Sequence, residues 1–456
     1  MKRYDSYKDS GVEWLGEIPE HWEIKKLNNQ FEVNTGFTPS TNNSDYYENG
    51  THDWLTITDL DSKYVSTSKT KLTDLAVEGR NKVPKGSLLY SFKLSVGKMA
   101  FVEKDVYTNE AIFAIYPDVN INLNYYYYLF GVILAHNSNK NIYGANILNQ
   151  ELIKASKLVV PESEEQTQIA NFLDLKTAQI DDLISKKEKL IELLKEERTA
   201  NINQAVTKGL DPNVPMKDSG IEWLGDIPEH WESWKISHAF EKIGSGTTPK
   251  SGNTKYHEEG TINWLNTGDL NNGVLYNCQK KITSAALEDY SSLKLYPKGS
   301  LVIAMYGATI GKTSLLEFET TTNQACCVFS ESEKIDLRFL QHWFNGNKEH
   351  IINLAVGGGQ PNISQDILKG IRIFCPSKIE QTQITNYLDC KTAQIDDLVS
   401  KKEKEIVLLN EYKTALISEV VTGKVDVRDE DVDIFKEASV SSYQADKKQT
   451  PEHHEE

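Results

Sequence analysis

Two long stretches of the chain carry apolar residues at helical spacing and contain no proline. The first lies between Pro161 and Pro212, the second between Pro376 and Pro451. Apolar residues of the first stretch recur in steps of three, four or seven, as in a coiled coil, and the second stretch repeats the pattern. The predicted seam consists of Ile169, Leu173, Ile180, Leu183, Leu190 and Leu194 in the first stretch, and of Ile384, Leu388, Ile395, Leu398 and Leu409 in the second. Each predicted helix is roughly 65–70 Å long at 1.5 Å per residue.

Residues that favour helix ends flank both stretches. Capping-box pairs stand just after a proline at Ser163 with Gln166 and at Ser377 with Glu380, and glycines suited to a C-terminal stop stand at Gly209 and Gly423. One helix cannot bury such a seam alone. We therefore expect the two helices to pack antiparallel, with the flanking regions at opposite ends. The alternative is that each helix folds back on its own neighbouring region.

The regions outside the helices predict mixed α/β structure. Short apolar runs such as "GSLLYSF" and "GSLVIAMY" read as strands among turn signals such as "NTGFTPS" and "GSGTTPKSG". The run "LNYYYYLFGVILA" is more helical. Its aromatic residues could stack on bases, but a buried aromatic face is the favoured interpretation.

Nearly the whole chain is a repeat. "SGVEWLGEIPEHWE" at residues 10–23 returns as "SGIEWLGDIPEHWE" at residues 219–232, and the helical stretch "KTAQIDDLISKKEK" returns with one change. A period this long indicates two copies of one domain, each followed by its own helix. The predicted division is 1–160 and 212–375 for the domains, 161–211 and 376–427 for the helices, and 428–456 for an acidic disordered tail. Duplication without functional use is the alternative.

Composition narrows the class of protein. The 456 residues carry a net charge of −16, which speaks against a simple nucleic-acid coat. The five cysteines all lie in the second half and form no CxxC pair, which argues against a disulfide framework or zinc site and fits a reducing cytosol. No apolar stretch is long enough to span a membrane. We therefore expect a cytoplasmic protein.

The sequence contains no convincing catalytic motif. "GATIGKT" at residues 307–313 resembles a phosphate loop, but three residues separate its glycines where the P-loop has four. No HExxH, no G-x-S-x-G and no Asn-Pro-Pro-aromatic sequence occurs. These absences predict a chain without catalytic, cofactor-binding or metal-binding residues of its own.

The order of the motifs carries a resemblance to a known family. "KDSGVEWLGEIPEHWE" opens a copy, "TGFTPS" or "SGTTPKSG" follows, and "PKGSL", "TNEA" or "TNQA" and a long helix complete it. In this order, and twice over, residues 8–427 resemble the DNA-specificity (S) subunits of type I restriction–modification enzymes. The second copy also has "GGGQPNIS", the family's usual form, where the first has "YGANILNQ".

The resemblance implies a fold, a function and partners. It implies duplicated α/β (α+β) target-recognition domains separated by two long antiparallel coiled-coil helices, in a pseudo-two-fold architecture. Each domain would read one half of a split, asymmetric site in double-stranded DNA. The helices would set the spacer and dock two modification (M) subunits that carry S-adenosylmethionine and methylate adenine. Restriction (R) subunits, which use ATP and Mg, would join them. The alternatives are a scaffold that binds without sequence readout, or a nucleotide-binding protein using residues 307–313.

The repeat separates shared residues from possible base readers. Residues identical in both copies cannot distinguish two different half-sites, so they would contact phosphate, the frame or partners. Lys98, Lys312, Thr38 and Thr248 are the predicted shared contacts, although the Thr-Pro turns could also be ordinary hairpin ends. Divergent polar stretches hold the predicted base readers Arg80, Lys82, Lys93, Lys280, Lys281 and Gln360, and the neighbouring contact Asn362.

The 14-residue duplicated segment (10–23 and 219–232) is too similar in the two copies to read different half-sites. Its tryptophans, Trp14 and Trp22 with Trp223 and Trp231, are suited to packing. We predict that the segment fixes each domain to the helical frame.

Overall fold

The computed structural model describes residues 2–93, 95–136, 139–140, 146–355 and 362–430. The chain divides into two compact units, unit 1 with residues 1–186 and 405–456, and unit 2 with residues 187–404. Each long helix therefore contributes one part to each unit. The sequence-based division at residues 160, 211, 375 and 427 stays a prediction, and most of the predicted tail lies outside the described residues.

The first copy of the repeat contains fourteen described strands and ends with the first long helix. Its strands are β1 (Tyr7–Asp9), β2 (Glu17–Pro19), β3 (Glu23–Lys26), β4 (Asn34–Thr35), β5 (His52–Leu55), β6 (Tyr64–Val65), β7 (Lys71–Leu72), β8 (Leu88–Ser91), β9 (Met99–Val102), β10 (Tyr107–Thr108), β11 (Ile112–Ile115), β12 (Asn139–Lys140), β13 (Asn146–Ile147) and β14 (Lys157–Val160). Its helices are α1 (Leu27–Gln30), α2 (Asp74–Val77), α3 (Leu123–His136), α4 (Gln150–Ala155) and α5 (Ser163–Lys208).

The second copy has the same order of main elements. Its strands are β15 (Met216–Asp218), β16 (Asp226–Pro228), β17 (Glu232–Lys235), β18 (Lys242–Gly244), β19 (Ile262–Leu265), β20 (Val274–Leu275), β21 (Lys281–Ile282), β22 (Leu301–Ala304), β23 (Thr313–Leu316), β24 (Thr321–Thr322), β25 (Cys326–Ser330) and β26 (Arg372–Cys375). Its helices are α6 (Ile236–Ala239), α7 (Thr254–His257), α8 (Ser284–Asp289), α9 (Leu337–Gly346), α10 (Lys348–Asn353), α11 (Gln365–Gly370) and α12 (Lys378–Val421).

Each copy is built around a mixed five-stranded sheet. The strand order is β4-β11-β8-β9-β6 in the first copy and β18-β25-β22-β23-β20 in the second, with one parallel pair at the β6 or β20 edge. A three-stranded sheet accompanies it, β10-β5-β7 or β21-β19-β24. The equivalent topologies confirm the predicted duplication of an α/β domain.

The central strands explain why the domain has two cores. All four residues of β8 are buried, and alternation along the strand sends Leu88 and Tyr90 into one hydrophobic cluster and Leu89 into another. In β22, Leu301 and Val302 divide in the same way. A strand covered on both faces needs continuous apolar sequence, which is the pattern of the "GSLLYSF" and "GSLVIAMY" runs.

The tyrosine-rich run forms α3, and its aromatic face is buried. Tyr125, Tyr126 and Tyr128 are at most 5% exposed, and Phe130 is fully buried. Phe31 packs edge-on against Tyr126 with ring centroids 4.6 Å apart. The favoured prediction of a packing role is therefore confirmed for these rings, and they are not free to stack on bases.

Within each unit, α5 and α12 run antiparallel. In unit 1 the Gln168 amide donates to the Val427 carbonyl, and the Lys413 ammonium lies 2.6 Å from the Asp181 carboxylate. In unit 2 the Arg198 guanidinium binds Asp396 at 2.9 Å. Asp181 and Asp396 occupy equivalent repeat positions, as do Arg198 and Lys413. Gly209 and Gly423 follow the helix ends with φ of +76°, as predicted.

The capping-box prediction is met in part at one of the two helix starts, because the Glu380 side chain contacts His230 instead of the Ser377 backbone. The Ser377 hydroxyl accepts a hydrogen bond from the Glu380 backbone N–H at 3.4 Å. At the start of α5 the Gln166 side chain instead donates to the Pro161 carbonyl. The helix starts just after the proline in both cases.

The buried face of the long helices corrects the heptad prediction. Ile169, Leu173, Ile180, Ile384, Leu388 and Ile395 are buried as predicted, and Leu194 and Leu409 are partly buried. Three predicted seam residues lie off the buried face, since Leu183, Leu190 and Leu398 are 42%, 41% and 43% exposed.

The residues that stay buried along α5 are spaced by eleven. They are Ile169, Ile180, Ile191 and Ile202, each no more than 8% exposed. Isoleucine occurs at the equivalent α12 positions 384, 395, 406 and 417, with the first two buried and the last two partly buried. Eleven residues make three turns at 3.67 residues per turn, close to the natural 3.6, whereas a heptad seam drifts about 20° every seven residues on a straight helix. A seam that starts at Ile169 and follows a heptad repeat is therefore exposed two heptads later, at Leu183.

Candidate nucleic-acid interface

In unit 1 the duplicated segment joins the start of α5 to the end of α12. Trp22 is fully buried, and a Cβ on Gly423 would lie 3.0 Å from its ring. The imidazole of His21 lies 2.8 Å from the Glu165 carboxylate, at the beginning of α5. The Tyr4 hydroxyl donates to the other oxygen of Glu165 at 2.7 Å. The segment thus contacts both long helices.

Unit 2 repeats this arrangement with the helices exchanged. His230 lies 2.9 Å from Glu380 at the start of α12, and the Trp231 indole N–H donates to the same carboxylate at 3.2 Å. A Cβ on Gly209, at the end of α5, would contact the Trp231 ring at 3.5 Å. The geometry agrees with the predicted packing role of Trp22 and Trp231.

The other two tryptophans of the duplicated segment are only partly covered. Trp14 stacks on His136 with ring centroids 4.2 Å apart, and Trp223 stacks on His350 at 4.3 Å. Trp223 is 42% exposed. These pairs therefore lie at the surface.

An aspartate on each long helix forms a second link to its domain. The Tyr128 hydroxyl and the Lys63 ammonium both bind Asp174 on α5. At the equivalent position on α12, Asp389 binds Arg338 and His342. Burial, with the nearby Arg198 and Arg338 charges, lowers the pKa of His342 to about 4, so the imidazole is neutral at pH 7. Sequence reasoning missed this link because it forms only when the domain packs on the helix.

The predicted Thr-Pro turns meet the "TNEA" and "TNQA" loops in a close crossing. We call this crossing the loop junction; it comprises residues 36–38 with 108–110 in the first copy and residues 246–248 with 322–324 in the second. A Cβ on Gly36 would overlap the Thr108 backbone, and one on Gly246 would overlap the Thr322 backbone. Only glycine permits this approach.

Hydrogen bonds fix the loop junction in the same way in both copies. The Trp54 indole donates to the Phe37 carbonyl at 2.9 Å, and the Trp264 indole donates to the Thr247 carbonyl at 3.1 Å. The backbone N–H groups of Asn109 and Asn323 each donate at 3.0 Å, to Leu55 and Leu265. The residues that follow these asparagines, Glu110 and Gln324, therefore occupy equivalent positions in the two copies.

Thr38 and Thr248 serve the loop junction directly. The Thr38 hydroxyl donates to the Glu110 carboxylate, and the Thr248 hydroxyl donates to the Gln324 amide oxygen at 2.7 Å. Their role as DNA contacts stays a prediction. The structure gives each hydroxyl a partner within its own domain, on a side chain that sequence reasoning did not select.

Three predicted residues of the first copy gather at the loop junction. The Arg80 guanidinium stacks 4.6 Å from the Phe37 ring centroid. The Thr38 hydrogen bond, together with the Lys93 charge, lowers the pKa of Glu110. Thr38 and Lys93 therefore both act on the exposed Glu110 carboxylate, while Arg80 covers the neighbouring Phe37 ring. Lys82 is exposed, and the Lys98 ammonium lies 3.4 Å from the Ile57 carbonyl.

The second copy gathers fewer of its predicted residues. The Lys280 ammonium lies 5.7 Å from the Trp264 ring centroid, next to the loop junction. Lys281 lies on β21 with its side chain exposed. Lys312 is partly buried, Asn362 pairs with Tyr306 in an isolated β-bridge, and Gln360 lies outside the described residues.

The glycine loop at residues 307–313 has no phosphate-loop architecture. Gly307–Thr309 is a single 3₁₀ turn between β22 and β23, and Gly307 and Gly311 have φ of +66° and +75°. No helix starts there to point its N-terminus at a phosphate. Across the described residues there is no cluster of three or more metal-ligating side chains, and none of the helices there could cross a membrane.

Comparisons with known proteins place these features in a family. The model of the type I restriction modification DNA specificity domain matches residues 19–193 and 228–408. The type I restriction enzyme MjaIX specificity subunit of Methanocaldococcus jannaschii is 24% identical over 435 residues, covering 91% of this chain and 96% of that protein.

Solved structures share the fold. A chain from work on complex assembly and conformational transition of the type I R-M system superposes with a TM-score of 0.65 at 14% identity, covering 90% of this chain and 99% of that chain. The HsdS subunit from Thermoanaerobacter tengcongensis gives a TM-score of 0.54 at 13% identity, covering 90% of this chain and 98% of that one. The chain belongs to the family of type I restriction modification DNA specificity domains, and it is a specificity subunit with two tandem DNA recognition domains.

Proposed function

We propose that the two recognition domains read the two halves of one bipartite, asymmetric DNA site. The observation that carries this proposal is the loop junction. Both copies hold one residue in an equivalent place by the same hydrogen bonds, yet the residue itself is Glu110 in one and Gln324 in the other. Two loop junctions with the same backbone geometry but different exposed side chains are suited to recognising two different DNA sequences.

The long helices act in this proposal as the element that sets the unread spacer. Each domain contacts both helices. In unit 1 His21 binds Glu165 on α5 and Trp22 packs beside Gly423 at the end of α12. In unit 2 His230 binds Glu380 on α12 and Trp231 packs beside Gly209 at the end of α5. A helix is stiff and has a fixed rise per residue, so its length can determine a spacing. A scaffold without sequence readout is the alternative function.

The helices also supply two matching surfaces for a repeated partner. Unit 1 exposes Leu183 and Leu408, at 42% and 62%, and unit 2 exposes the equivalent Leu398 and Leu193, at 43% and 52%. Their occurrence at equivalent positions of both units would suit a partner that binds twice. We propose that two M subunits dock here, one on each set.

The chemistry belongs to the partners in this proposal. The chain itself has no catalytic residues and no cofactor; S-adenosylmethionine is used by the M subunits, and ATP with Mg by the R subunits. An adenine must be flipped out of the duplex before methylation, and that step takes place in the M subunit. The complex acts in the cytoplasm, where its DNA substrate lies.

The test is a map of methylated adenines in DNA from cells that express this chain with its M partner. The expected result is one motif with two defined halves and an undefined spacer. Cells expressing the chain alone, or the M partner alone, serve as controls and should give no methylation at this motif. Methylation without a sequence motif would favour the scaffold function and refute this proposal.

A further inference from the structure

The residue at the centre of the loop junction differs between the copies in chemistry but not in placement. In both copies the preceding asparagine is fixed by its backbone N–H, and its side-chain oxygen accepts from the backbone of the following alanine, Ala111 at 3.2 Å or Ala325 at 3.1 Å. Both Glu110 and Gln324 are exposed. The backbone therefore directs the Glu110 and Gln324 side chains to the surface in the same way in both copies.

The two head groups have different hydrogen-bonding capacity. An ionised carboxylate only accepts hydrogen bonds, whereas an amide both donates and accepts. The Thr38 hydrogen bond lowers the pKa of Glu110, so its carboxylate is ionised at neutral pH. Thr248 uses only the amide oxygen of Gln324, which leaves the NH₂ group available to a ligand.

The surrounding charge differs in the same sense. Lys93 lies close enough to Glu110 to favour its ionised form. Phe92 and Met305 donate their backbone N–H groups to the equivalent Ala111 and Ala325 carbonyls, so the counterpart of Lys93 in the second copy is Tyr306, which carries no charge at neutral pH. The position that carries a lysine in the first copy therefore carries a neutral side chain in the second. Each copy keeps a head group of defined charge at this exposed point.

The chemistry of DNA restricts what the carboxylate can contact. A phosphate would repel an ionised carboxylate, so Glu110 is unsuited to the DNA backbone. The DNA groups that favour it are amino groups on base edges, such as N4 of cytosine. A glutamine amide suits the N6 and N7 edge of adenine.

We propose that the side chain at this position, Glu110 in the first recognition domain and Gln324 in the second, contacts a base edge and determines which base is accepted at one position of each half-site. The proposal rests on the proposed function, since it needs two half-sites. Thr38 and Thr248 then act as positioning residues that orient the reading side chain.

The experiment exchanges the two head groups. Glu110→Gln and Gln324→Glu are prepared separately in the full chain, expressed with the M partner, and the methylated adenines are mapped. Glu110→Gln is expected to change the preferred base at one position of one half-site, by on the order of 10-fold or more. Gln324→Glu is expected to change one position of the other half-site, and the spacer stays the same in both.

A matched control removes the same charge elsewhere on the first domain. Glu103 is also exposed and lies outside the loop junction, so Glu103→Gln should leave the motif unchanged. The proposal is overturned if both exchanges keep the original motif, with either normal or uniformly reduced methylation, because that result assigns the side chains a structural role only. If the unaltered chain gives no bipartite motif, the proposed function itself is refuted. This result is distinguishable from a bipartite motif that the two exchanges leave unchanged, which refutes only the role of Glu110 and Gln324.

Discussion

Trp22 in the duplicated segment gives the most direct test of how a recognition domain is held on the helices. Its ring is fully buried between the segment and the end of α12. A buried tryptophan removes about 200 Å² from water, which at about 25 cal/mol per Å² corresponds to roughly 5 kcal/mol. Truncation of a buried tryptophan to alanine costs about 3–5 kcal/mol. We therefore expect Trp22→Ala to lower the free energy of unfolding of unit 1 by this amount.

The second copy supplies a comparison for the hydrogen bond. Within the described residues the Trp22 indole nitrogen has no hydrogen-bond partner, whereas the Trp231 indole donates to Glu380. Trp22→Phe removes part of a ring, and Trp231→Phe removes the same part and a bond to a charged group, worth about 1.5–3 kcal/mol. Trp231→Phe should therefore be the more destabilising of this pair.

The assay is denaturant unfolding of each variant, followed by a methylation map with the M partner. Trp14→Ala is the control, because Trp14 is partly exposed and its stacking on His136 contributes about 0.5–1.5 kcal/mol. The expected result for Trp22→Ala is lower stability, less methylation and an unchanged motif. A loss below about 1 kcal/mol, or a changed motif, would refute the packing role.

Three further predictions follow from the helices. Gly423→Ala should lower the free energy of unfolding more than Gly209→Ala in a denaturation assay. Both glycines have φ of +76°, but only a Cβ on Gly423 would overlap Pro19. Equal losses of stability would contradict this prediction. The pKa of His342 is lowered to about 4 against an ordinary value of 6.5, so stability should be complete above pH 6.5 and fall as the pH drops toward 4. His342→Tyr, which copies Tyr128, should flatten that dependence. Lys413→Ala should change stability by less than about 1 kcal/mol, because its partner Asp181 is largely exposed.

The frame of the molecule follows from the sequence to a large extent. The repeat, the absence of proline and the end signals predicted two long helices, and the structure places them at Ser163–Lys208 and Lys378–Val421. The central strands, predicted from short apolar runs, and the buried face of α3 also followed from local pattern. These features depend on spacing along the chain, which the sequence displays directly.

Two features, the buried face of the long helices and the role of Glu110 and Gln324, were not predicted from the sequence. The heptad pattern places Leu183 and Leu398 in the seam, but both are more than 40% exposed, and the residues that stay buried along α5 are isoleucines spaced by eleven. Glu110 and Gln324 escaped notice because they stand inside a shared motif, "TNEA" and "TNQA". The signal was available, as one divergent residue within an otherwise identical loop, but its hydrogen bond to a threonine 72 residues away required the fold.

The central claim is that two readers are held at a separation set by the long helices. It is tested most directly by inserting four residues into the middle of α5 and mapping methylated adenines with the M partner. Four residues add about 6 Å, close to two base-pair steps of 3.4 Å. The account predicts a longer spacer between two unchanged half-sites. Altered half-sites, or the original spacer with full methylation, would contradict it.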